Sequence, residues 1–324
     1  MKALVCHRIT EDFSGLEVRD VPVPTPGAGE VLVRVKAAGV NFPDLLMSQG
    51  KYQFKPELPF TLGMEVAGIV EAVGEGVTDW KPGDEIIGGN KTGAYAEYAS
   101  LPAAGLSRKP APFSFAEAAA FPAAYITAYV ALVRRANLQP GETLLVHGAS
   151  GGVGMAAVNV GKLLGATVIA TSASDAKLDK VRAYGADYVI NVAQGFRDKV
   201  KTLTHGRGAD VIFDPVGGDV FDESLRCIAF DGRLLVIGFT SGRIPSVNVN
   251  IPLIKGFSVI GVRAGEYGRQ FPEKGRENQT AIRKWAEEGL VHPHVFRELP
   301  LEDWREAWRL LTDREVVGKV IIRP

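Results

Sequence analysis

Cysteine is nearly absent from this chain: only Cys6 and Cys227 occur in 324 residues. Two isolated cysteines supply no disulfide framework and point to reduced thiols in a cytoplasmic setting. Histidine is sparse too, with His7, His147, His205, His292 and His294. None stands at a metal-ligand spacing from either cysteine, and the pair His292 and His294 has no third ligand nearby. His147 reads as a core histidine closing a strand. Neither sign of charge is in excess, since Lys plus Arg and Asp plus Glu both total 37. A neutral chain lacks the electrostatic footprint of a nucleic-acid or anionic-membrane binder. Long hydrophobic runs are missing as well. The N-terminal run is broken at His7 and Arg8, too soon for a signal peptide. The stretch 118–133 is short for a membrane span, rich in Ala, and carries Pro122 and Thr127. It reads as a buried helix. No serine sits in a nucleophile elbow, which argues against a hydrolase. The expectation is a soluble cytoplasmic protein with neither nucleic acid nor membrane as partner.

The length suggests two domains. The first third is rich in Gly, Pro and Val. Segments 31–36 and 66–74, and the pair Ile86-Ile87 after Lys81-Pro82-Gly83-Asp84, read as short strands of a β-rich, barrel-like domain. From about Pro140 strand and helix alternate. Strands are expected at 142–148, 167–171, 188–190, 211–213, 233–237 and 257–262. Helices are expected at 152–164, from Asp175 to Gly185, at 196–203 and at 221–229, with Asp175 as the cap of the second. This alternation predicts a doubly wound parallel sheet. The apolar strand 257–262 should lie at the sheet edge, where it invites pairing with a second copy.

Gly148-Ala149-Ser150-Gly151-Gly152-Val153-Gly154 follows an apolar strand and opens a helix. Such a turn lets the backbone approach a pyrophosphate, which then sits on the N–H groups and positive dipole end of the helix. Ala149 replaces the first glycine of the usual fingerprint; Gly151 and Gly154 supply the other two. The second strand runs into Ala170-Thr171-Ser172-Ala173-Ser174 without the carboxylate that would bind the ribose hydroxyls of NAD. Small hydroxyls with Lys177 just beyond suit a 2′-phosphate, so the expected cofactor is NADPH. Without a metal, oxidation of an alcohol is disfavoured. Hydride transfer to a quinone or enone is easier, because charge spreads to a remote oxygen that a few donors can stabilise.

The chain resembles the zinc-free quinone oxidoreductase (zeta-crystallin-like) branch of the medium-chain dehydrogenase/reductase superfamily. The resemblance spans nearly the whole sequence. It rests on the runs Ala37 to Asp44 and Gly63 to Gly68, on Lys81 to Asp84, on the cofactor turn, and on Gly232 to Gly238. Met64 stands where zinc-dependent relatives carry a ligating His, no Cys lies near Asn41, and the four-cysteine zinc lobe is missing. The family implies a GroES-like catalytic domain from residues 1–121 and 261–324, and a Rossmann domain from 122–260, with nicotinamide and substrate held between them. It implies that Asn41 lines the reaction site and Tyr52 covers it. Thr127 would contact the carboxamide, and Ser150, Gly151, Gly152 and Val153 the pyrophosphate. Ser172 and Lys177 would meet the 2′-phosphate, and Phe239, Thr240 and Lys319 would border the cofactor. Leu46, Ser48 and Val192 depart from the Tyr, Arg and Tyr frequent in the family. Arg263, if it faces the site, would bind a carboxylate or an acyl-CoA phosphate. The expected activity is NADPH-dependent reduction of a quinone, enone or other conjugated acceptor by a homodimer. An ene reductase of acrylate-type or acyl-CoA substrates is the alternative, and a cofactor-binding structural or RNA-binding role is the non-enzymatic one.

Overall fold

The computed structural model describes residues 1–324. The chain divides into two compact units, Met1–Pro122 with Pro293–Pro324, and Ala123–His292. In chain order the first unit opens with β1 (Lys2–Cys6), β2 (Leu16–Asp20), β3 (Glu30–Gly39), β4 (Phe60–Thr61), β5 (Val66–Val73), β6 (Glu85–Gly88), β7 (Tyr98–Pro102) and β8 (Ser107–Arg108). The second unit holds β9 (Thr143–Val146), β10 (Thr167–Ser172), β11 (Tyr188–Asn191), β12 (Ala209–Asp214), β13 (Ile228–Val236) and β14 (Ser258–Gly261). The C-terminal β15 (Val295–Pro300) and β16 (Lys319–Arg323) return to the first unit.

In the first unit a small sheet runs β2-β1-β4, and a larger one runs β15-β16-β3-β5-β6-β8 with β7 also on β3. Val31, Val33 and Val35 of β3 enter the core beside Tyr95, Trp304 and Trp308, while Arg34 stays exposed. Leu32 is buried as well, so the alternation in the sequence is only in part that of a half-buried strand. Trp304 and Trp308 lie four apart on helix Trp304–Thr312, with ring centroids 5.7 Å apart in an edge-to-face arrangement. β16 pairs antiparallel with β3, setting Ile321 opposite Gly39 and Ile322 opposite Ala38. That register brings Lys319 to Asn41, 278 positions earlier in the chain.

The second unit is a wholly parallel sheet in the order β11-β10-β9-β12-β13-β14. The chain runs outward from β9 to β11, then returns to β12 and runs out on the other side. This is the expected doubly wound arrangement, and its order reverses beside β9, the position at which such sheets bind ligands. All of β9 is buried.

Four details differ from the expectations. The helix expected over 221–229 spans Gly218–Ser224 and stops there, because Ala209 bonds to the Cys227 carbonyl and Ile228 already belongs to β13. Ser174, not Asp175, is the N-cap residue of helix Asp175–Ala183; the Asp175 carboxylate accepts from Asn191 instead. The segment 261–292, expected with the GroES-like domain, belongs to the second unit. Arg134 holds it there, bonding Asn278 at 2.8 Å and Glu277 at 2.7 Å, and the Tyr129 ring packs against Trp285 at a tilt of 50°. The Ala-rich run divides into helices Phe115–Ala120 and Pro122–Tyr129 and a π-turn at Val130–Arg135, so no single helix covers it. No helix of the chain is long and apolar enough to cross a membrane.

Candidate functional site

The nucleotide turn begins where β9 ends. Gly148 adopts φ +55°, Ala149 N–H donates to the Thr171 carbonyl at 3.0 Å, and Gly151 N–H closes back on the Gly148 carbonyl at 3.0 Å. Helix Gly152–Leu163 then starts with Gly151 as its N-cap residue and no side chain bonded to its first N–H groups. Those donors and the helix dipole make an anion site. Glycine is required by close approach. A Cβ on Gly154 would press on the Gly148 carbonyl oxygen and lie 2.7 Å from the Ala149 Cα. Ser150 is buried within this turn. The residues present therefore fit a dinucleotide pyrophosphate, with Gly151, Gly152 and Val153 at the helix mouth.

β10 ends at buried Ser172, and Lys177 is half-buried on the first turn of the next helix. Val192 packs on the apolar core of this unit. On the far side of the sheet reversal, Asp214 closes β12. Its Oδ1 accepts from the N–H groups of Val216 at 2.8 Å and Gly217 at 2.9 Å, and burial raises its pKa. The loop after β13 packs on that turn: Thr240 N–H reaches the Pro215 carbonyl at 3.1 Å, and Phe239 lies over Gly217. Thr127 gives its hydroxyl proton to the Ala123 carbonyl at 2.7 Å, so its oxygen is left as an acceptor. Arg263 starts helix Ala264–Gln270; its side chain is 61% exposed and 3.8 Å from Glu266.

His147 is a structural histidine. Its Nδ1 lies 2.9 Å from Thr171 Oγ1, and its Nε2 lies 2.9 Å from Ser224 Oγ. Ser224 spends its proton on the Val220 carbonyl, so Nε2 carries the hydrogen and Nδ1 accepts from Thr171. Burial pushes its pKa down to about 3, which keeps it neutral.

In the first unit the structure gathers Asn41 and Lys319 around a residue the sequence reading passed over, Glu65. Lys319 and Glu65 form an ion pair at 2.6 Å with side chains 8% and 4% exposed. A buried pair repays its desolvation only when further hydrogen bonds satisfy it. Asn41 provides them, accepting from Lys319 at 2.7 Å on Oδ1 and donating to Glu65 at 2.8 Å from Nδ2. Lysine only donates and carboxylate only accepts, so the amide orientation is fixed. The other Nδ2 hydrogen goes to the Gly39 carbonyl at 3.2 Å. Asn41 is left with acceptor capacity on Oδ1 and no spare donor. A Cβ on Gly39 would collide with the Glu65 carboxylate, which accounts for that glycine. The Asn41 backbone N–H bonds Asp44, and Asp44 accepts from the Tyr95 hydroxyl at 2.6 Å. Tyr52 packs its half-buried ring against the core of this unit. Thr127 and Arg263 belong to the second unit. No group of three or more His, Cys, Asp or Glu side chains is arranged to hold a metal.

A parallel dinucleotide-type sheet in one unit and a β-rich unit built from both chain ends define a medium-chain dehydrogenase/reductase. Residues 27–111 match the alcohol dehydrogenase GroES-like domain, and residues 152–278 match the zinc-binding dehydrogenase family. Quinone oxidoreductase-like protein 2 of Mus musculus is 40% identical over 324 residues, covering 99% of this chain and 91% of that protein. Human quinone oxidoreductase is 32% identical over 318 residues, covering 96% of this chain and 95% of that one. The crystal structure of Escherichia coli quinone oxidoreductase complexed with NADPH superposes with a TM-score of 0.92 at 31% identity, covering 100% of both chains. The chain belongs to the quinone oxidoreductase family of this superfamily, and its class is that of an oxidoreductase.

Proposed function

We propose that this chain is an NADPH-dependent reductase of quinones or related conjugated acceptors, working without a metal. The observation that carries the reading is the uncapped helix mouth at Gly152, beneath a turn in which Gly154 leaves no room for a side chain. Gly151, Gly152 and Val153 bind the pyrophosphate there. Ser172 and Lys177 bind the 2′-phosphate, beyond a strand that ends without a free carboxylate because Asp175 is held by Asn191. Phe239 and Thr240 wall the nicotinamide side, and the Thr127 oxygen accepts from the carboxamide. Asn41, held by Glu65 and Lys319, presents one carbonyl oxygen as an acceptor. Bound NADPH supplies the hydride. Met64 occupies the place of the zinc-ligating His of metal-dependent relatives, and a conjugated acceptor spreads its charge to an oxygen that hydrogen-bond donors can stabilise.

Lys177→Ala tests the cofactor assignment. It should raise the NADPH Kd by about 10- to 100-fold, the value of a lost bond to a charged group, and leave the NADH Kd nearly unchanged. Fluorescence titration of both cofactors checks this; equal losses would remove Lys177 from the 2′-phosphate site.

We also infer a homodimer formed through the second unit. β14 ends its sheet with an open edge, and Phe230, Val249, Leu253 and Ile254 in nearby segments are each more than 70% exposed. A second copy pairing along β14 would continue the ladder and cover apolar surface. Light scattering at assay concentration should give the dimer mass, and monomer alone would refute it.

A further inference from the structure

Asp44 lies on the short helix Phe42–Ser48 and is fully buried. Its two oxygens differ. Oδ2 accepts from the Tyr95 hydroxyl at 2.6 Å and from the Asn41 N–H at 2.9 Å. Oδ1 is buried with no hydrogen-bond partner. An ionised carboxylate there would leave a charged acceptor bare, whereas the neutral acid leaves only an uncharged oxygen without a partner, at lower cost. The groups acting on Asp44 are Tyr95, Lys319 and Glu65. Lys319 is already paired with Glu65 at 2.6 Å, so an ionised Asp44 would be a second anion in a cluster holding one cation.

We propose that Asp44 is a positioning residue that acts in its protonated form: Oδ2 pins the Asn41 backbone, while the acid proton keeps the Asn41–Glu65–Lys319 cluster neutral. Burial is the main cause raising its pKa, to about 7, and the Glu65 charge adds to it; the bonds from Tyr95 and Asn41 and the charge of Lys319 oppose it. Ionisation draws Lys319 toward a second carboxylate and slackens its hold on Asn41 Oδ1. Activity therefore falls as pH rises through about 7. The inference rests on the oxidoreductase reading above, since Asn41 is what Asp44 positions.

The test is kcat and kcat/KM for NADPH oxidation from about pH 5 to about pH 9, together with melting temperature over the same range in cofactor-free protein. Wild type should show an alkaline limb losing about tenfold per pH unit, carried by kcat. Asp44→Asn keeps an oxygen for Tyr95 and Asn41 but cannot ionise. It should match wild type within about threefold at low pH and lose the limb. Tyr95→Phe removes a bond that favours the anion, so the limb should move to higher pH. Asp44 has a raised folded pKa, so its stabilising effect is present below 3.8 and is lost as pH rises through about 7. Wild type should accordingly lose melting temperature relative to Asp44→Asn across that window. An unmoved limb in Asp44→Asn overturns the proposal; should that variant not fold, an unmoved limb in Tyr95→Phe does so. Absence of turnover at every pH, with the melting difference intact, would instead count against the oxidoreductase reading.

Discussion

Gly154→Val should weaken NADPH binding by at least about 100-fold, equivalent to about 2.7 kcal/mol. The added Cβ meets backbone rather than a flexible side chain: the Gly148 carbonyl oxygen and, at 2.7 Å, the Ala149 Cα. Interiors packed to crystal-like density do not absorb such an overlap locally, so the turn must lift from the helix. Ala149 N–H is tied to the Thr171 carbonyl of β10. The part of the turn free to move is therefore the part that cradles phosphate. Each lost N–H bond to an anion is worth about 1.5–3 kcal/mol, and the displacement removes more than one. Fluorescence titration measures the effect, with circular dichroism verifying that the sheet remains. A Kd close to that of wild type would mean that the turn does not hold the cofactor.

Lys319→Met should strongly destabilise the first unit. It removes the cation that neutralises the Glu65 carboxylate, 4% exposed, and takes the Lys319 donor from Asn41 Oδ1. Removing one partner of a buried pair costs about 3–5 kcal/mol. That corresponds to a fall of about 10 °C in melting temperature for a unit of this size. Replacing the pair together, Lys319→Met with Glu65→Gln, should recover at least half of the loss, because no uncompensated charge remains. Thermal melts of the single and double variants decide it. A single-variant loss near zero, or a double variant worse than either single, would mean that the pair is not the bond holding Asn41.

Much of this organisation is legible in the residues themselves. Strand and helix alternate from β9 onward because each strand of a parallel sheet is buried on both faces and needs a covering helix. The glycine turn is legible because its chemistry is local. What the sequence hides depends on distant contacts. The segment 261–292 joins the second unit through Arg134, more than 140 positions from Glu277 and Asn278. Propensity does not end the helix at Ser224; the bond from Ala209 to Cys227 does. Glu65 sits in an apolar run, Glu65-Val66-Ala67-Gly68-Ile69-Val70, where a carboxylate is anomalous. That anomaly is the signal from which Glu65 could have been found, although its partner lies 254 positions away. Asp44 is hidden for the same reason: its partner Tyr95 lies 51 positions away in the loop before β7, and the nearby Lys319 opens β16.

The most direct measurement is NADPH oxidation by the purified protein with a panel of quinones, enones and acrylate derivatives, run with and without a chelator. The account predicts turnover with at least one conjugated acceptor, a preference for NADPH over NADH, and no loss of rate on chelation. Tight NADPH binding with no oxidation by any acceptor, or a rate abolished by the chelator, would contradict it.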